Sequence, residues 1–120
     1  MRIFKLTMKR HIMHAETKYF DLLENGSKKF EFRLNDEKRK NITVGDVIEF
    51  RCTENPSRVT ISKVVGIKKS KDFEFLLRDI RQGAIGGIKK IEQIKKLNEI
   101  YSKEKINDYG VMAIELGKCD

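Results

Sequence analysis

The sequence predicts an α+β fold: a small, mostly antiparallel β-barrel with short helices at its rim. Three observations carry this expectation. Segments whose apolar residues alternate or are β-branched recur along the chain, as in half-buried strands. Turn signals built from Gly, Asn and Pro separate them at short spacing. The helical patterns between them are brief, so helices sit in the connections. With 120 residues and no repeat, low-complexity tract or Pro/Gly/Ser linker, residues 1–120 read as a single domain.

Each element follows from its own pattern. Ile3 to Met8 alternates loosely and, with His11-Ile12-Met13-His14, predicts an opening strand. Thr17 to Asn25 places Tyr19, Phe20, Leu22 and Leu23 on one helical face, and Gly26 stops the helix. Tyr19 is thereby expected in the core. Phe30, Phe32 and Leu34 then alternate strictly with Lys29, Glu31, Arg33 and Asn35. That period of two predicts a strand with one apolar and one charged face. Asp36 to Lys40 is a polar turn. Gly45-Asp46 turns into a strand from Val47 to Phe50, and Asn55-Pro56-Ser57 closes a hairpin into β-branched Val59 to Ile67.

The spacing Phe73, Leu76, Leu77, Ile80 predicts a short amphipathic helix. Gly83, Gly86 and Gly87 end it in a flexible connection. Ile91, Ile94, Leu97 and Ile100 recur at helical intervals and predict a second helix running to Tyr101, and Val111 to Leu116 predicts a closing strand.

Composition excludes several classes. At 39% hydrophobic and 37% charged, the chain is too apolar for disorder and too polar for a membrane protein. No window reaches the ~18 apolar residues of a bilayer span. No apolar run of signal-peptide length opens the chain, so the expected location is cytoplasmic. Cys52 and Cys119 lie in no CxxC pair, which speaks against structural zinc or thiol redox chemistry. His11 and His14 would form a metal pair if helical, yet no further ligand completes the set, so no metal and no cofactor are expected. Gly83-Ala84-Ile85-Gly86-Gly87 lacks the Lys-Ser/Thr of a phosphate loop.

Charge points to a partner. The net charge is +8, and residues 1–71 hold 17 Lys/Arg against 9 Asp/Glu, while residues 72–120 hold 9 of each. An excess confined to one part of the chain marks a surface that meets a polyanion, nucleic acid foremost. The candidate site lies within that part: Lys28, Glu31, Arg33 and Asn35 about the alternating strand, with Lys38 and Arg39 in the basic turn beside it. Such residues suit phosphate or base-edge contacts. The same alternation is also what a solvated outer face presents. Tyr19, Tyr101 and Tyr109 are the candidates for stacking on bases.

Gly26, Lys28, Glu31 and Arg33 form the pattern Gly-x-Lys-x-x-Glu-x-Arg, followed by Gly45-Asp46. With the Phe73 helix, the stretch Ile100-Tyr101-Ser102 and the terminal strand after Tyr109-Gly110, the chain resembles the ASCH domain over roughly residues 11–116. The resemblance implies a PUA-like β-barrel with helices at its rim and a cleft lined by the signature residues. For most members it implies RNA binding. One bacterial branch hydrolyses the exocyclic amide of N4-acetylcytidine with the signature Lys, a Thr on the following strand and a later Glu. Lys28 matches that Lys, Glu31 stands in place of the Thr, and the region around Arg81 to Gly87 does not match.

Amide hydrolysis needs a base, a proton for the leaving amine and oxyanion stabilisation. A Lys beside a carboxylate keeps its charge, which suits ligand orientation better than proton abstraction. The leading expectation is recognition of RNA, or of a nucleotide-like small molecule, by Lys28, Glu31, Arg33, Asn35, Lys38 and Arg39. The alternative is an amidohydrolase acting on a modified pyrimidine nucleoside through Lys28 and Glu31. A protein-interaction adaptor is the third. The sequence fixes no oligomeric state.

Overall fold

The computed structural model describes residues 8–119. Its chain order is β1 (Arg10–Ala15), α1 (Thr17–Glu24), β2 (Phe30–Leu34), β3 (Val47–Cys52), β4 (Val59–Ser70), α2 (Phe73–Leu77), a 3₁₀ turn (Gln82–Ala84), α3 (Lys90–Ile100), α4 (Lys103–Tyr109) and β5 (Val111–Lys118). The five strands form one sheet in the order β1-β3-β4-β5-β2. All pairings are antiparallel except β1 with β3. The α+β class and the mostly antiparallel curled sheet agree with expectation. The curl stops short of a closed barrel: among the described residues β1 and β2 are its two edges and share no ladder, so the sheet is a half-barrel.

β4 produces much of the curl. Its first half pairs with β3 and its second with β5, and a bulge at Val65 falls between. An extra residue on one strand bends and twists it at that point. The bend divides the apolar interior in two. Phe32, Leu34, Val111 and Ala113 pack against α2, α3 and α4 on one face. Met112 and Ile114, on the other face of β5, join Met13, Ile48, Phe50, Val64 and Phe20 of α1 inside the half-barrel.

β2 is therefore covered on both sides. Phe32 and Leu34 are buried as the alternation requires, with Phe30 half-buried. Glu31 and Arg33 pair with Ile114 and Met112, which places them on the inner face of the curl. The reading of a solvated outer face fails here, because the charged side of the strand turns inward.

Other departures have local causes. The opening strand is β1, and Ile3 to Thr7 lie outside the described residues. His11 and His14 sit on this strand rather than a helix, so they point to opposite faces; His11 Nε2 pairs with Asp46 Oδ2 at 2.9 Å. On α3 the inward residues are Gln93 and Leu97, with Ile91 77% and Ile100 55% exposed. Three successive steps of three residues rotate about 900° at 100° per residue, so Ile91 and Ile100 end on opposite sides of the helix. The helix α4 has no counterpart in the expectation, although Ser102 caps it by accepting from Lys105 N and Gly110 ends it at φ 73°.

Candidate functional site

The site begins where α1 ends. Gly26 takes φ 83°, a conformation glycine adopts without strain, and turns the chain back so that Lys28 N–H donates to Leu22 C=O at 2.9 Å. The glycine-rich segment expected as a flexible connection instead packs onto this turn. Lys29 N–H donates to Ala84 C=O at 2.7 Å, Gly86 N–H donates to Ser27 C=O at 3.0 Å, and Lys28 and Ile85 form an isolated bridge. Gly86 permits the approach: at φ 73°, a Cβ there would lie 2.8 Å from Leu22 Cδ1. Residues 27–29 are thus clamped by a segment more than fifty positions away, and the Lys28 side chain is directed into β2.

There Lys28, only 3% exposed, donates from Nζ to Phe30 C=O and to Glu31 Oε1 at 2.9 Å. Its ammonium lies 5.1 Å from the centre of the Phe32 ring. Arg33 takes the other carboxylate oxygen: Nε and Nη2 donate to Glu31 Oε2 at 3.0 and 2.6 Å. Nη2 also donates to His14 C=O at 3.0 Å, across the gap between the sheet's edges. Glu31, 8% exposed, is held between two cations.

Burial alone would raise the Glu31 carboxyl. Lys28 and Arg33 outweigh it by charge and hydrogen bonding and hold the group at about 2. Burial likewise raises the Tyr101 phenol, with the Arg33 guanidinium opposing. A carboxylate held this low is a weak proton acceptor and a strong fixed counter-charge. What the trio offers is directed N–H donors and one net positive charge, rather than a base.

Lys28, Glu31 and Arg33 share one cleft of about 220 Å³ between the β2 edge, the end of β1 and α3. His14, Tyr19, Thr53, Gln93, Lys96 and Tyr101 line it as well. Tyr19 is a correction: it is half-buried against the inner core and forms part of the cleft wall. Its ring lies at the edge of α1's apolar face, where helix and cleft meet. The remaining predicted residues lie outside. Asn35 follows β2, with its N–H on Gly110 C=O and its side-chain Oδ1 buried without a partner among the described residues. Lys38 is exposed in the following turn. Arg39 is half-buried there, its guanidinium lowered by burial and by the nearby Arg33. Tyr109 is exposed and not in the cleft. Gln93 went unnoticed in the sequence; the signal was a polar side chain four residues before Leu97, on the stripe that α3 buries.

Comparison with known proteins agrees with this fold. The family model described as the ASCH domain matches residues 13–120. The crystal structure of the hypothetical protein PH0355 is 33% identical, covers 91% of this chain and 97% of its own, and superposes with a TM-score of 0.76. The solution structure of protein PF0455 from Pyrococcus furiosus is 30% identical, with coverage of 89% and 94% and a TM-score of 0.68. A mutant ASCH protein from Zymomonas mobilis shares the fold at 16% identity and a TM-score of 0.66, covering 92% of this chain and 70% of its own. No curated protein matches the chain.

Proposed function

Because this chain belongs to the ASCH domain family, we propose that it recognises RNA, or a nucleotide-like small molecule, in the cleft walled by Lys28, Glu31 and Arg33. The observation that carries this reading is a buried carboxylate bracketed by two cations at the wall of an open cleft. A single ion pair would have neutralised itself. The second cation leaves a positive excess facing the cleft, which suits carbonyl and phosphate oxygens. Tyr19 and Tyr101 supply rings against which a base stacks. Lys38 and Arg39, in the turn after β2, belong in this reading to contacts with the nucleic-acid backbone.

The hydrolytic alternative asks Glu31, held at about 2, to take a proton, and that favours recognition over reaction. The test is an NMR titration of the labelled protein with single-stranded oligonucleotides and the four nucleotides. Shifts centred on Lys28, Arg33 and Tyr101 are expected, and Lys28→Met, shown folded by its spectrum, should lose them. No shift with any of these ligands overturns the reading.

A further inference from the structure

An ion pair bars the mouth of the cleft. Lys96 Nζ of α3 lies 3.3 Å from Oε1 of Glu16, the residue between β1 and α1. Both residues line the cleft and also the shallow hollow outside it, so the pair forms the partition between the two. The side chains are 38% and 53% exposed, which leaves both accessible to a ligand. Glu92 and Glu99, one turn to either side of Lys96, line the outer hollow and not the cleft. Within the cleft, Glu31 is already bound by Lys28 and Arg33. Glu16 holds the N-cap position of α1, yet its side chain caps no helix N–H and reaches across to Lys96 instead. An ion pair between exposed side chains adds little stability and breaks readily. Lys28, Arg33 and Lys96 against Glu31 and Glu16 give the cleft a net charge of three less two, +1, which becomes +2 when Glu16 turns out to solvent.

Resting on the recognition reading above, we infer that the Glu16 carboxylate occupies the seat of the ligand's phosphate and that Lys96 is the residue that binds it. The cleft is then selective for a phosphorylated nucleotide over a free nucleoside. A carboxylate and a phosphate both offer oxygens to an ammonium, but a phosphate monoester carries about −1.5 to −2 and matches the opened cleft in charge. The incoming phosphate takes Lys96, and Glu16 turns outward. The α3 wall has the length this requires. Tyr101 stands beside Arg33 at one end, and Lys96 is five residues earlier at the other, a rise of about 7.5 Å. That is the scale on which a nucleotide separates its base from its phosphate. A free mononucleotide and one unit of an RNA strand share this chemistry, the strand offering its phosphate as a diester.

The test is calorimetric titration of the full chain with the four nucleosides and with their 5′- and 3′-monophosphates. For the base that binds best, wild type should hold a monophosphate at least about tenfold more tightly than the nucleoside. Lys96→Met should reduce the nucleotide to the nucleoside's level without changing the nucleoside, and Lys96→Arg should keep the preference. Glu16→Gln should strengthen nucleotide binding about two- to fivefold and leave the nucleoside unchanged. Equal binding of nucleoside and monophosphates by wild type overturns the inference. So does a preference that persists in Lys96→Met, because Lys28 or Arg33 then reads the phosphate, and so does a Glu16→Gln variant that binds nucleotide as wild type does. Each of these results still places a ligand on the protein, so the recognition reading survives. Absence of binding to every nucleoside, nucleotide and a mixed-sequence RNA oligonucleotide overturns both. A dinucleoside monophosphate of the same base separates the two sources: binding at least as tight as the monoester identifies an RNA strand, and weaker binding a free nucleotide. The comparison on wild type holds even if a variant fails to fold.

Discussion

Arg33 donates to the main-chain carbonyl of His14 at 3.0 Å and so joins the two edges of a sheet that no backbone ladder among the described residues closes. The same guanidinium holds Glu31, and one side chain therefore shapes both the seam and the cleft.

Replacing Arg33 by Met should cost about 1.5–3 kcal/mol, the worth of hydrogen bonds to a charged group, with Lys28 still bound to Glu31. Urea denaturation measures it. Arg33→Lys should recover only part, since one ammonium does not span Glu31 Oε2 and His14 C=O in the same geometry. An unchanged midpoint for Arg33→Met would mean that the seam is held elsewhere.

Glu31→Gln leaves the buried Lys28 and the half-buried Arg33 without their counter-charge, and a loss of about 3–5 kcal/mol is expected near neutral pH. The pH dependence follows from the carboxyl held at about 2, against an ordinary 4.5. A lowered folded-state value contributes stability that is complete above about 4.5 and disappears as pH falls through about 2. The difference in melting temperature between wild type and Glu31→Gln should therefore be constant above about pH 5 and shrink between about 4.5 and 2. A difference that does not change with pH would contradict the ion-pair account.

Affinity for single-stranded RNA should fall steeply with salt. Replacing Lys38 and Arg39 together by Ala should flatten the log–log slope by about one to two units. Both lie outside the cleft, so binding of a single nucleotide there should be unaffected. Salt-independent RNA binding would exclude backbone contacts and leave a small-molecule ligand.

Incubated with N4-acetylcytidine for hours, the protein should release no cytidine, because the carboxylate in place of the hydroxyl is a weak base. Chromatography of the nucleosides decides it. Release that Lys28→Ala abolishes, in a variant that remains folded, would establish the hydrolase and overturn this expectation.

The strand that carries the site was legible, because period-two alternation at Phe30, Phe32 and Leu34 is a local signal. Gly26, Lys28, Glu31 and Arg33 were legible as a motif. The inward face of Glu31 was not, since it depends on a curl produced by a bulge at Val65, more than thirty residues away. Gln93 was hidden for a related reason: the isoleucines of α3 outvote it in any count of apolar spacing, and only the tertiary packing of α3, on α2 above all, shows which stripe is buried. The clamp of Gly86 on Ser27 is a contact between loops and leaves no periodic trace.

The pairing of β2 with β5 also sets an order of events in time. Among the described residues, residues 30–34 find their one ladder with residues 111–115, about eighty positions later. Closing so long a loop is slow relative to forming the β3–β4 hairpin. On a ribosome, β2 waits unpaired until the last strand has emerged, and its ionised carboxylate stays in water meanwhile. The hairpin is expected to form first, and the cleft, which needs β2 in place, after it.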